Sequence, residues 1–181
     1  AGGALVSAGL WFIMTKTSYM AARLAIWKDP WSDPLNKGYQ TIQSLYAIGS
    51  GGLLGVGLGN SRQKFNYLPE PENDYVFSIT CEELGYIGAA IIIILFALLV
   101  IRGYWIALHA RDRFGALLVV GITTLVAVQV FLNIAVVTNL IPPTGISLPF
   151  FSYGGTALVI QLVEMGIVLS VSRQIPAPRQ G

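Results

Sequence analysis

Charge is scarce in this chain: 11% of its 181 residues are Asp, Glu, Lys or Arg, against about a quarter in ordinary soluble domains. The scarcity is uneven. From Phe114 to Val163 there is no Asp, Glu, Lys, Arg or His, and from there to Ser172 the only charge is Glu164. One bilayer crossing takes roughly 20 apolar residues, so that stretch holds two. A single cysteine, Cys81, excludes an internal disulfide framework and any multi-cysteine zinc site. The single histidine, His109, has no metal-ligating neighbour in the sequence. The net charge is +2 with scattered basic residues, which argues against a nucleic-acid partner.

What is abundant is apolar: 54% of residues are hydrophobic and the mean hydropathy is +0.65. The distribution predicts an all-α polytopic membrane protein. Residues 1–14 read as the end of a transmembrane helix, and 15–74 as a long extracytoplasmic loop. A helix at 75–101 follows, then a cytoplasmic loop at 102–114 and a second helix at 115–138. Residues 139–155 form an extracytoplasmic re-entrant hairpin, 156–172 the last transmembrane helix, and 173–181 a cytoplasmic tail. No Met and no charged leader stand before the first apolar stretch, so it does not read as a signal peptide, and the chain is taken as a piece of a longer protein. Orientation follows from the short loops: three Arg lie in 102–114 and two in the tail, and none in 139–155.

Within the long loop, Gly38 to Ile48 can form a short amphipathic helix. Gly49 to Gly59 holds six glycines, a composition suited to turns and close backbone approach. A nucleotide-loop reading fails, since no strand precedes the run and no Gly-Lys-Ser/Thr closes it. Between Asn139 and Gly155, three prolines and three glycines rule out a continuous helix. Irregular backbone at membrane depth is tolerated only where it is buried in protein or lines a cavity.

Four acids stand out. Glu82, Glu83 and Glu164 fall inside predicted crossings, where an ionisable side chain is a functional candidate by default. No Lys or Arg shares those crossings, so at least one of the acids is expected to find its partner outside this chain; helix–helix hydrogen bonding is the structural alternative. Asp74 sits at the junction of loop and helix, where a carboxylate either caps the helix or does chemistry at a water–lipid boundary. Eight residues of helix bring Glu82 to within about 80° of Asp74 around the axis but about 12 Å along it, too far for a direct carboxylate pair. Arg62 and Lys64, just past the glycines, are candidates for an anionic headgroup or a pyrophosphate.

Three stretches together resemble the SEDS family (shape, elongation, division and sporulation proteins), the group containing FtsW, RodA and SpoVE. The first is Trp31-Ser32-Asp33-Pro34 with Gly38 to Gly52. The second is Gly57 to Lys64, then Tyr67-Leu68-Pro69-Glu70, Asp74-Tyr75-Val76-Phe77 and Glu82-Glu83-Leu84-Gly85. The third is Pro143 to Phe150 with Ser152-Tyr153-Gly154-Gly155. Tyr67 to Pro71 and Gln43 to Ile48 lean toward the FtsW and SpoVE branch.

The resemblance implies the C-terminal part of a ten-helix fold, from the end of the seventh helix through the tenth. It implies a glycosyltransferase that polymerises lipid II into glycan strands in division, elongation or sporulation, beside a class B penicillin-binding protein and in contact with membrane lipid. Asp74 matches the catalytic aspartate; here Asn73-Asp74-Tyr75 stands where Thr-Asp-Phe is usual, which alters the carboxylate's hydrogen bonding and not its presence. Arg62, Lys64, Gln43 and Ser152 are implied substrate contacts. A divalent cation is the only cofactor raised, with no ligands assigned, and the isolated segment is expected to be inactive. The alternatives are a lipid II flippase, with Glu82, Glu83 and Glu164 along a polar path, and a scaffold for a transpeptidase.

Overall fold

The structure, a computed structural model, describes residues 18–36, 38–62 and 74–175. The predicted helix end at 1–14, Lys64 and the run from Pro69 to Asn73 lie outside the described residues. Helix α1 spans Ser18–Lys28 and α2 Tyr39–Ser50. Between them, a 3-10 turn at Pro30–Ser32 is capped by Asp29, whose carboxylate accepts from the Trp31 N–H. Three long helices follow: α3 at Val76–His109, α4 at Arg113–Val137 and α5 at Gly155–Arg173. All three are long and apolar enough to cross a membrane. Among the described residues there is no strand.

The α3 helix runs past the boundary that Arg102 suggests. The Arg102 guanidinium lies 4.2 Å over the Trp105 ring, and Trp105 stacks on His109 at 4.3 Å, so the charge rides on aromatic faces while the backbone stays helical. Asp112 then accepts from the Gly115 N–H at 2.7 Å and starts α4.

The more consequential feature of α3 is a break. Gly85 has φ 69° and ψ −174°, a conformation open essentially to glycine alone. In an unbroken helix the N–H groups of Tyr86 and Ile87 would bond to the carbonyls of Glu82 and Glu83. Instead they bond to the carbonyls of Gly52 and Leu53, and the Glu82 and Glu83 carbonyls accept from Val56 and Gly57. The glycine-rich segment after α2 is thus inserted into the helical ladder, and four groups that a break would leave bare are satisfied. Contact this close excludes side chains: a Cβ on Gly51 would overlap the Cys81 carbonyl, and one on Gly55 the backbone of Glu83 and Gly85. From Tyr86 to His109 the helix rises about 36 Å at 1.5 Å per residue, enough for one crossing. The half-helix before the break, with Glu82 and Glu83, packs with the loop.

Two apolar clusters tie the helices together. One gathers Phe77, Ile79, Ile92 and Phe96 of α3, Val126 and Val130 of α4 and Leu148 of the hairpin. The other joins Ile106, Val119, Ile122, Val168 and Val171 at the opposite end. Fully buried Ser44 on α2 bonds to the Ser78 hydroxyl at 2.6 Å and donates to the Val137 carbonyl at 2.8 Å, pinning α2 to α3 and α4.

Candidate functional site

The site is organised around the junction before α3. Asp74 lies in a turn, and the N-cap of α3 is the next residue, Tyr75, whose side chain makes no capping hydrogen bond. The Asp74 side chain stands one residue before that cap. Its carboxylate faces the hairpin: a Cβ on Gly145 would stand 3.5 Å from Asp74 Oδ2.

The hairpin is fastened from three sides. On α1, Arg23 donates to the Pro143 carbonyl at 2.9 Å. Trp27 Nε1 donates to the Asn139 carbonyl at 3.0 Å, and the Asn139 amide returns a bond to the Trp27 carbonyl at 3.3 Å. On α4, Asn133 Nδ2 donates to the carbonyls of Asp74 and Ile146 at 2.8 and 2.7 Å. On α5, Gln161 accepts from the Phe150 N–H at 2.8 Å, which steadies a non-glycine residue at φ 65°. From Gly145 beside Asp74, the hairpin reaches along α3 past the break, where Phe151 packs on Phe96 with ring centroids 5.9 Å apart. An apolar groove lined by Ile92, Leu95, Phe96, Leu99, Phe150 and Phe151 opens there.

Tyr75 is buried behind Asp74. Burial pushes its phenol above the usual value of 10.0; the Thr41 hydrogen bond and the Arg23 charge pull it down, while the Asp74 charge adds to the rise. The hydroxyl is therefore neutral at physiological pH.

The other candidates divide. Glu82 is 2% exposed and accepts from the Ser61 hydroxyl at 2.5 Å and from the Arg62 N–H at 3.1 Å. It finds partners in the loop of its own chain and fixes the backbone that carries Arg62, whose side chain is exposed. The side chains of Glu83 and Glu164 have no hydrogen-bond or ionic partner among the described residues. Ser152 accepts from the Leu148 N–H at 2.7 Å, closing the hairpin turn. Gln43 is half-buried on α2. Among the described residues, no three His, Cys, Asp or Glu side chains converge to hold a metal. Sequence reasoning passed over Arg23, Asn133 and Gln161. An uncharged amide barely marks an apolar helix, and Arg23 is one of six basic residues in a long loop.

The family model described as cell cycle protein, covering FtsW, RodA and SpoVE, matches residues 1–176. This chain belongs to that family. Stage V sporulation protein E of Bacillus subtilis is 53% identical over 161 residues, covering 89% of this chain and 44% of that protein. The probable peptidoglycan glycosyltransferase FtsW of Geobacter sulfurreducens is 46% identical over 166 residues, 92% of this chain and 44% of that protein. Among solved structures, a chain from a peptidoglycan synthase complex, studied for the structural coordination of polymerization and crosslinking, matches with TM-score 0.71. The two are 31% identical over 96% of this chain and 47% of that one. An aspartate-to-alanine mutant of the rod shape determining protein RodA from Thermus thermophilus matches with TM-score 0.56 and 32% identity, over 75% of this chain and 41% of that one. The chain thus spans somewhat under half the length of the relatives it matches. With three membrane-capable helices and this family, it is part of a multi-pass protein of the bacterial cytoplasmic membrane.

Proposed function

We propose that this chain carries the glycosyl-transfer centre of a peptidoglycan glycosyltransferase that polymerises lipid II, with Asp74 as general base. The observation that carries the reading is the Asp74 carboxylate immediately before α3, facing the hairpin at Gly145. In the reaction, the acceptor sugar hydroxyl attacks the anomeric carbon of the lipid-linked donor. The new C–O bond forms as the bond to the pyrophosphate breaks, with inversion, and Asp74 takes the hydroxyl proton. The departing pyrophosphate carries negative charge that cations must offset. Arg62 and Lys64 are the candidates, and Arg23, fixed to the hairpin beside Asp74, joins them. No step is assigned to a divalent cation, for which the described residues offer no cluster of ligands.

The apolar groove of Phe150, Phe151 and α3 suits a polyprenyl chain, with Ser152 next to it in the hairpin; Gln43 on α2 remains a candidate substrate contact. The Arg-bearing turn between α3 and α4 faces the cytoplasm, which sets the loop and hairpin outside, on the side of glycan assembly. A class B penicillin-binding protein is the proposed partner; the synthase complex among the structural neighbours supports that choice.

The test uses the full-length protein, purified in detergent and given lipid II. Asp74→Asn is expected to lower polymer formation by at least about 10²-fold and to leave thermal unfolding unchanged. Polymer at the wild-type rate would overturn the assignment. Detergent removes any membrane to cross, so an intact flippase or scaffold would yield no polymer even with Asp74 in place.

A further inference from the structure

We infer that Asn133 is a positioning residue for Asp74, holding the carboxylate against the hairpin; this rests on the glycosyl-transfer reading above. Asn133 lies on α4, fully buried. Both hydrogens of its side-chain amide are spent on backbone carbonyls of two other segments, Asp74 at 2.8 Å and Ile146 at 2.7 Å. Because both neighbours are acceptors, the amide nitrogen and not its oxygen faces them. One planar group therefore fixes the separation between the residue that carries the carboxylate and the residue after Gly145, the glycine the carboxylate faces.

The other half of the amide shows what the residue is kept for. Among the described residues, buried Asn133 Oδ1 has no hydrogen-bond partner. A bare acceptor inside a helix bundle costs stability, so the asparagine is poorly explained as a stabilising residue and well explained as a double donor. No other natural side chain of its size offers two N–H groups from one nitrogen. Aspartate would turn acceptors toward both carbonyls, and leucine would offer nothing.

The geometry also separates positioning from binding. Asn133 reaches backbone only and is closed off from substrate, so its loss leaves the substrate's own contacts in place. A misplaced reacting group costs turnover more than affinity, and a displacement of about 1 Å can cost 10²-fold.

The experiment compares wild type, Asn133→Leu, Asn133→Ser and Asp74→Asn in the full-length protein in detergent, measuring lipid II polymerisation and amide hydrogen exchange over 141–150. Asn133→Leu is expected to lower kcat at least tenfold, with KM for lipid II within twofold, and to speed exchange in the hairpin. Asn133→Ser, which retains one donor on a shorter arm, substitutes for it if the leucine variant does not fold, with the same expectation. A kcat within twofold of wild type, or a rise in KM that accounts for the loss, overturns the inference. If Asp74→Asn polymerises normally, the glycosyl-transfer reading fails, and exchange alone judges the clamp: unchanged protection over 141–150 in the Asn133 variants would reject it.

Discussion

Gly55 and Gly85 meet backbone to backbone, each filling the space in which the other's Cβ would stand. The contact is what lets a loop segment enter the hydrogen-bond ladder of a crossing helix. Both residues have positive φ, 78° and 69°, so any L side chain there is strained before it collides with anything.

Gly85→Ala and Gly55→Ala are each expected to destabilise the full-length protein by more than about 2 kcal/mol, since the left-handed backbone alone costs roughly 1–2 kcal/mol and a backbone overlap adds to it. Gly49→Ala is the control. It sits on α2 facing open space, and alanine there is expected to be neutral or to stabilise by up to about 1 kcal/mol. Thermal unfolding in detergent reads all three, and equal behaviour would mean that the insertion does not hold the helix together.

Glu82 should behave as a structural acid. Glu82→Ala removes an acceptor from the part-buried Arg62 N–H and the buried Ser61 hydroxyl, a loss of about 1–3 kcal/mol. Glu82→Gln keeps one acceptor oxygen and is expected to lose less. Limited proteolysis near residues 58–62 should accelerate in the alanine variant more than in the glutamine variant. The reverse order would point to a role for the charge itself.

Arg23 and Trp27 form a latch between α1 and the hairpin. Arg23→Ala is expected to cut polymerisation more than Trp27→Phe does, because Arg23 also brings positive charge toward Tyr75, the residue after Asp74. Arg23→Lys keeps the charge and loses the guanidinium geometry, and it should recover part of the activity. Polymerisation rates at saturating lipid II measure the series, and equal rates in all three variants would remove Arg23 from the site.

Much of this architecture was legible because length and apolarity are strong signals. The three membrane-capable helices, the interruption by Pro142, Pro143 and Pro149, and the close-packed glycines after α2 all follow from local composition. The break at Gly85 does not. A lone glycine in an apolar run is compatible with an intact helix, and only the arrival of a loop from 30 residues upstream makes its positive φ worthwhile. Glu82 drew attention for the right reason, an acid in an apolar stretch, yet its partners are Ser61 and Arg62, which sequence distance hides. Asp74 was visible through the motif around it. That it stands before the helix and not within it depends on where α3 begins, two residues later than the acid, and helix starts are blurred by a residue or two in any sequence reading.

The inserted segment precedes the helix it completes, so a ribosome makes residues 52–57 before residues 82–87. By the time the broken ladder needs outside donors and acceptors, its complement is already synthesised and waiting at the same face of the membrane. A permuted chain in which the loop followed the helix would have to hold four bare backbone groups in the interim. The native order spares it that wait.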